Sequence, residues 1–285
     1  MKIDRVEVEA VVWRAPVGAG NAKQRFGERR GLRVTVFADD ITGVGVAAPL
    51  EGYAPDSYED AEAALAALDL VGAQVERSVD ALRELLAPIV APSVRFGVET
   101  ALIDLSGDPW GAPSRTFDSA HLVDAYDPTA LERAIEAGAR TVKIKIGRDL
   151  DTEFLAVRRA AERVKVRVDA NGTLRPEDAD RFRGLPVELV EEPGIDLGDV
   201  PVALDESLRH PEGIERAARP EVVAIVLKPM VLGGLVACLD LAARVPDVAA
   251  IASHTFDGPI AHAANVRLAS LLRPSPYAHG LGPIR

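Results

Sequence analysis

Residues 141–170 read TVKIKIGRDLDTEFLAVRRAAERVKVRVDA, and this stretch decides the fold. In "TVKIKIG" apolar residues alternate with lysines, the period-two pattern of a strand. "DTEFLAVRRAAERV" then repeats its apolar residues at helical spacing, and "VRVDA" returns to period two. Strand, helix and strand within thirty residues make a parallel βα unit. The alternation continues through "PEDADRFRG", "VELVEEP", "VALDES", "HPEGIERAA", "VVAIVLKPM", "GGLVACLDLAARV", "VAAIASH" and "PIAHAANVRLASLL". At least six units fit between residues 141 and 272, which favours a closed βα barrel over an open sheet.

Upstream the pattern differs. "VEVEAVVWRA" and "GLRVTVFADD" alternate like strands of an antiparallel sheet, and "SYEDAEAALAAL" and "SVDALRELLAPIV" follow with helical period. Residues 1–93 are therefore expected to form an α+β capping domain, residues 94–272 the βα barrel, and residues 273–285 to return to the cap. Between the first two strands, "PVGAGNAKQRFGERR" is rich in glycine and charge and reads as a loop. Its Arg25, Arg29 and Arg30 are expected to be solvated. "GVGVAAP" lacks the helix start that phosphate binding requires and reads as strand and turn. Trp13 and Trp110 read as packing residues.

The chain has 285 residues, 44 acidic against 33 basic, for a formal net charge of −11. Such a balance argues against nucleic acid as a partner. No stretch reaches the roughly 18 apolar residues of a membrane span, and the N-terminus has no apolar signal-peptide region. A cytoplasmic protein is expected, and the sequence leaves monomer and homo-oligomer open. The single cysteine, Cys238, lies in the apolar "LVACLD" and reads as core.

Successive strands finish on ionisable residues. Lys143 and Lys145 fall in "VKIKIG", Asp169 ends "VRVDA", Glu191 and Glu192 end "ELVEEP", Asp205 and Glu206 end "ALDES", Lys228 ends "AIVLKP", and Ser253 and His254 end "AIASH". The C-terminal rim of a βα barrel is where active sites sit, while strand middles are expected to be apolar. A buried carboxylate such as Asp169 needs a positive partner. Asp169, one glutamate of the 191/192 pair and Asp205 come from three consecutive strands. Three converging carboxylates repel one another, and a hard cation removes the conflict. An all-oxygen set points to Mg²⁺ or Mn²⁺ rather than zinc. Lys143 and Lys145, two apart, share a strand face, where like charge lowers a lysine's pKa enough for it to accept a proton. Lys228 stands further round the mouth. A cation with lysines on both sides suits removal of a proton α to a carboxylate, so a small-molecule carboxylate is the expected substrate. Ser253 and His254, adjacent on a strand, point to opposite faces and make a poor hydrolase pair.

The ordered motifs "KIK", "DAN", "EEP", "DES" and "LKP" resemble the enolase superfamily, and within it the muconate lactonizing enzyme subgroup. The likeness covers essentially the whole chain. "PLEGYAPDSYEDA", "SVRFGVETALIDL" and "VLKPMVLGG" are most similar to the o-succinylbenzoate synthase family. The resemblance implies a modified (β/α)₇β barrel with an α+β cap. It implies Asp169, Glu191 and Asp205 as Mg²⁺ ligands, Lys145 as the base and Lys143 as its neighbour near the substrate carboxylate. Lys228 would stabilise the enediolate, and Asn171 and Glu206 would orient ligands and lysines. The implied reaction is syn-elimination of water from 2-succinyl-6-hydroxy-2,4-cyclohexadiene-1-carboxylate, a step of menaquinone biosynthesis. The same two-lysine site also suits an N-succinylamino acid racemase or a dipeptide epimerase, and Asp257 in "FDGP" lies near where epimerases grip an α-amino group. His254 departs from the small polar residues common at that strand end and is expected at the rim.

Overall fold

A computed structural model describes residues 1–15, 27–112 and 115–282. A small antiparallel sheet comes first: β1 (Arg5–Arg14), β2 (Glu28–Ala38) and β3 (Ile41–Ala47), in that spatial order. Helices α1 (Tyr58–Ala67), α2 (Val79–Leu86) and α3 (Pro92–Ser106) follow. Then strands and helices alternate: β4 (His121–Val123), α4 (Ala130–Glu136), β5 (Thr141–Lys145), α5 (Leu150–Ala161), β6 (Lys165–Asp169), β7 (Val190–Glu191) and β8 (Val202–Leu204). The chain continues through α6 (Pro211–Arg216), β9 (Val222–Leu227), α7 (Pro229–Leu232), α8 (Leu235–Arg244), β10 (Ala249–Ala252) and α9 (Gly258–Leu271). The short helix expected after β6 is a 3₁₀ turn at Pro176–Phe182, and a second 3₁₀ turn at Glu206–Arg209 begins where the strand read from "VALDES" was expected to continue.

Strands β4 to β10 form one parallel sheet in sequence order, the arrangement of a barrel wall. The C-terminal segment, expected to return to the cap, instead pairs with this wall. His279 bridges Ser119 and Gly280 bridges Ser253, both in parallel. Ala120 N donates to His279 O at 2.7 Å, and Gly280 N to Ala252 O at 2.8 Å. The segment therefore fills the gap between β4 and β10. Unpaired backbone groups at two open edges are satisfied by closure. Leu281 also joins the apolar cluster that holds Val46, Ala48 and Phe96.

Of the loop expected over residues 16–30, Glu28–Arg30 is strand. All ten residues of β1 pair with β2, so the ladder runs out to Arg14 opposite Glu28. Pleating puts Arg29 on the opposite side from its two neighbours. It is 4% exposed, contrary to its expected solvation, and donates to Pro49 O at 3.0 Å and to Ala48 O. Arg30 stays at the surface, its guanidinium 4.1 Å from the Tyr58 ring centre. Arg25 lies outside the described residues.

Helix α3 joins the two sheets. Pro92 starts it, where a missing N–H costs nothing. Nearly its whole circumference is buried, against β2 and β3 on one side and α7 on the other. The approach to β3 explains "VGVA": a Cβ on Gly45 would lie 1.8 Å from Gly97 O. Glu99, near the middle of α3, accepts from the amides of Leu235 and Val236, which open α8. Only glycine fits before them, because a Cβ on Gly234 (φ +109°) would lie 2.1 Å from the Glu99 carboxylate. No helix among the described residues is long and apolar enough to cross a membrane.

Candidate active site

The parallel register sets Lys145 beside Asp169 and Asp169 beside Glu191. The buried carboxylate of Asp169 thereby meets the positive partner it requires. Lys143 Nζ lies 3.2 Å from Asp169 Oδ2 and donates to Glu191 Oε2 at 2.9 Å. Lys145 Nζ lies 3.9 Å from Asp169 Oδ2. Both lysines face the same side of β5, as their spacing predicts.

The two glutamates of "EEP" part company. Glu191 faces Lys143, whereas Glu192, at φ +39°, turns towards the next strand end. Its Oε2 accepts from Asp205 N at 2.8 Å, from Ser207 N at 3.1 Å and from Ser207 Oγ at 2.9 Å. Glu192 thus fixes the turn that carries Asp205. Asn171, at φ +45°, donates from Nδ2 to Glu206 Oε1 at 2.9 Å, tying the "DAN" and "DES" turns together. That left-handed backbone is one asparagine tolerates better than most residues.

The third cluster lies at the ends of β8 and β9. Lys228 donates to Asp205 Oδ2 and also to the hydroxyl of Tyr53. That hydroxyl donates in turn to Asp205 Oδ1 at 3.1 Å. The Lys228 ammonium sits 4.6 Å from the centre of the Tyr53 ring, within cation–π range. Tyr53 belongs to the loop after β3, in the N-terminal region, and no sequence argument singled it out.

Electrostatics separate the lysines. Burial drives the Lys145 pKa down, and neighbouring Lys143 and Lys228 add to this against the pull of Asp169, leaving it at about 8. Burial also opposes the charged form of Lys143, but Glu191 and Asp169 outweigh it and raise its pKa. The expectation of two mutually lowered lysines therefore holds for Lys145 alone, because only Lys143 bridges two carboxylates. Lys228 is likewise raised, Asp205 and Glu206 outweighing burial. Asp205 is raised too, by burial first and then by Glu206, Asp169 and Glu191, which together override Lys228.

Beneath this rim the strand middles are not all apolar. Arg167, two residues before Asp169 on the same face of β6, is fully buried. It donates to Ala278 O at 2.8 Å and lies 3.7 Å from Glu191 Oε1 and 3.8 Å from Glu188 Oε2. A residual charge on Glu191 is thus met from below as well as from Lys143.

Among the described residues, no three of His, Cys, Asp and Glu stand close enough to hold a metal ion as placed. Lysine ammoniums fill the space between the carboxylates instead. The chemistry of the set still fits a hard divalent cation. Asp169, Glu191 and Asp205 offer only oxygen donors from three successive strand ends, the set a hard cation takes.

His254 and Ser253 do not pair. Ser253 Oγ donates to Gly280 O at 3.3 Å, while His254 Nδ1 accepts from Phe256 N at 3.0 Å. Burial lowers the His254 pKa to about 4, so the imidazole is neutral at ordinary pH. Asp257 is 1% exposed and fully engaged, accepting from Thr255 N at 3.1 Å, from Thr255 Oγ1, and from Asn265 Nδ2 at 3.1 Å.

Comparison with known proteins agrees with this geometry. The family described as "Enolase C-terminal domain-like" matches residues 128–282, and "MenC, N-terminal domain" matches residues 11–105. An o-succinylbenzoate synthase from Salmonella arizonae is 30% identical, over 92% of this chain and 86% of that one. The chain belongs to the enolase superfamily, in the o-succinylbenzoate synthase family. Enolase-superfamily members also share its fold. Muconate lactonizing enzyme from Pseudomonas fluorescens superposes with a TM-score of 0.85 at 20% identity, covering 98% of this chain and 87% of that one. A dipeptide epimerase from Methylococcus capsulatus, solved with Mg and the dipeptide L-Arg-D-Lys, gives 0.80 at 24% identity, covering 95% and 88%. Membership makes this protein an enzyme and accounts for the two sheets: an N-terminal antiparallel sheet over a parallel barrel whose strand ends carry the polar residues.

Proposed function

We propose that this protein is an o-succinylbenzoate synthase: it dehydrates 2-succinyl-6-hydroxy-2,4-cyclohexadiene-1-carboxylate by syn-elimination of water, as a step towards menaquinone, and requires Mg²⁺. The observation that carries the reading is the split between the lysines. Lys145 is the one with a lowered pKa, at about 8, whereas Lys228 is held cationic by Asp205 and Glu206. A base and a fixed positive charge at one barrel mouth are what α-proton removal next to a carboxylate demands.

Asp169, Glu191 and Asp205 would hold the cation, which supplies a Lewis-acidic grip on the substrate carboxylate. Lys145 takes the proton from the carbon α to that carboxylate. The electron pair moves towards the carboxylate, where the Lys228 ammonium offsets the developing charge. The C–O bond on the neighbouring ring carbon then breaks, and the proton on Lys145 leaves with the hydroxide as water. Lys143 stays protonated and holds Asp169 and Glu191, while Asn171 and Glu206 fix the turns that present them.

The same two lysines would serve an N-succinylamino acid racemase or a dipeptide epimerase. Asp257, which such an epimerase would use on an α-amino group, is here buried under three hydrogen bonds from Thr255 and Asn265. The synthase is therefore the better reading. The test is turnover of the cyclohexadiene carboxylate by the purified protein with Mg²⁺, followed by the ultraviolet change as the ring becomes aromatic. Turnover that EDTA stops and Mg²⁺ restores is expected. No turnover, together with α-proton exchange in N-succinyl amino acids or dipeptides, would transfer the assignment to the racemase or epimerase.

A further inference from the structure

Among the described residues of the N-terminal region, Tyr53 is the one whose side-chain polar atom joins the Asp205–Lys228 cluster, and nothing in the reaction above requires it. Its surroundings are specific. The residue is 8% exposed, and its hydroxyl lies between an ammonium and a carboxylate. A protonated phenol has one hydrogen to donate. It gives that hydrogen to Asp205 Oδ1 at 3.1 Å and accepts from Lys228. Lys228 also donates to Asp205 Oδ2, so the three groups close a triangle drawn from β8, β9 and the loop after β3.

The loop is itself fastened to the barrel. Arg209, in the turn after Asp205, donates to Tyr53 O and to Glu206 O, the latter at 2.9 Å, and its guanidinium lies 5.5 Å from the Tyr53 ring centre. Leu50, Tyr53 and Val231 form a small apolar cluster of their own next to Lys228. Arg29, buried in β2, holds the start of the same loop through Ala48 O and Pro49 O.

We infer that Tyr53 is a positioning residue: its hydroxyl fixes the rotamers of Lys228 and Asp205. The inference rests on the proposed roles of Lys228 and Asp205. A buried phenol with a single hydrogen allows only one bonding pattern between an ammonium and a carboxylate, and that pattern fixes both. Groups that orient a ligand through hydrogen bonds affect both metal affinity and turnover, by about 10- to 100-fold when removed.

The test is Tyr53→Phe in the full chain, which keeps the ring and its packing and deletes only the hydroxyl. Two readouts are compared with wild type: the Mg²⁺ dissociation constant of the substrate-free protein by calorimetry, and kcat and KM for the cyclohexadiene carboxylate. The expected result is Mg²⁺ binding weakened by about tenfold and kcat lowered by about tenfold, with KM and melting temperature unchanged. A Tyr53 that served only as packing would leave both unchanged, and that outcome overturns the inference. Should wild type bind Mg²⁺ but not turn over this substrate, the proposed reaction falls while the Mg²⁺ comparison still decides the role of Tyr53. A wild-type protein that takes up no Mg²⁺ sinks both.

Discussion

The two halves of the barrel mouth are built differently. On the β5–β7 side, Lys143, Lys145, Asp169 and Glu191 all stand on barrel strands and meet through the parallel register alone. On the β8–β9 side, Asp205 and Lys228 also stand at strand ends, but their contact is completed by Tyr53 from the loop after β3. The first half is preorganised by the barrel; the second depends on a segment more than a hundred residues away in sequence.

The sharpest way to break this comparison is in the first half. Lys145→Ala removes the one lysine of the cluster whose pKa is lowered. A general base contributes on the order of 10²–10⁴ in rate, and loss near the upper end is expected because no other lysine of lowered pKa stands beside Asp169. Mg²⁺ binding and melting temperature should survive, since Lys143 alone bridges Asp169 and Glu191. Single-turnover kinetics check the outcome. A variant that still turns over would remove Lys145 as the base.

That half is also the legible one. Period-two spacing put Lys143 and Lys145 on one face, and the strand-to-helix alternation put Asp169 and Glu191 at strand ends, where the structure has them; it put Asp205 and Lys228 at the ends of β8 and β9 as well, but held no sign of the Tyr53 contact that completes that side. Local pattern could not choose between Glu191 and Glu192; the choice is made by Ser207 and the Asp205 amide, which occupy Glu192. Tyr53 lies in "PLEGYAPDSYEDA", a stretch that resembles the family's, but its own role was hidden because its partners lie on distant strands. The strand at Glu28–Arg30 was hidden by its charges, since a ladder position costs nothing to a polar side chain that faces solvent or finds carbonyl acceptors, as Arg29 does. The closing segment at His279–Gly280 is too short to show any periodicity. Its pairing follows from the open edges of β4 and β10, a property of the assembled wall.

Arg167→Met sharpens the comparison from below. Arg167 lies fully buried between Glu188 and Glu191, and its only hydrogen bond among those described is to Ala278 O. Removing Arg167 leaves Glu191 with Lys143 and Glu188 with Lys165 as their remaining cations, and costs about 3 kcal/mol, the lower end for a broken buried pair. In a chain of this size that corresponds to a melting temperature lower by roughly 10 °C. The first half of the mouth should lose Mg²⁺ affinity with it, through Glu191, while the Tyr53–Asp205–Lys228 triangle stays intact. Thermal unfolding and calorimetry on the same variant measure both, and an unchanged melting temperature would show that Arg167 is not what balances Glu191.

The smallest effect concerns the joint between the two regions. Glu99 of α3 caps α8 from within the protein, and burial raises its pKa from 4.5 to about 7 against the lowering influence of the Leu235 and Val236 amides. A carboxyl whose folded pKa exceeds its unfolded value binds more protons when folded. Its contribution to stability is then fully present below the unfolded pKa and is lost as pH rises through the folded one. The window is pH 4.5 to about 7. Glu99→Gln has no titration there. It should be less stable than wild type at pH 5, because an amide cannot accept from both Leu235 and Val236 with the same oxygens, and the difference should narrow as pH rises towards 8. Melting temperatures of the two proteins across that range decide it. A gap that stays constant with pH would mean that Glu99 keeps its charge in the folded state, with the two α8 amides outweighing its burial.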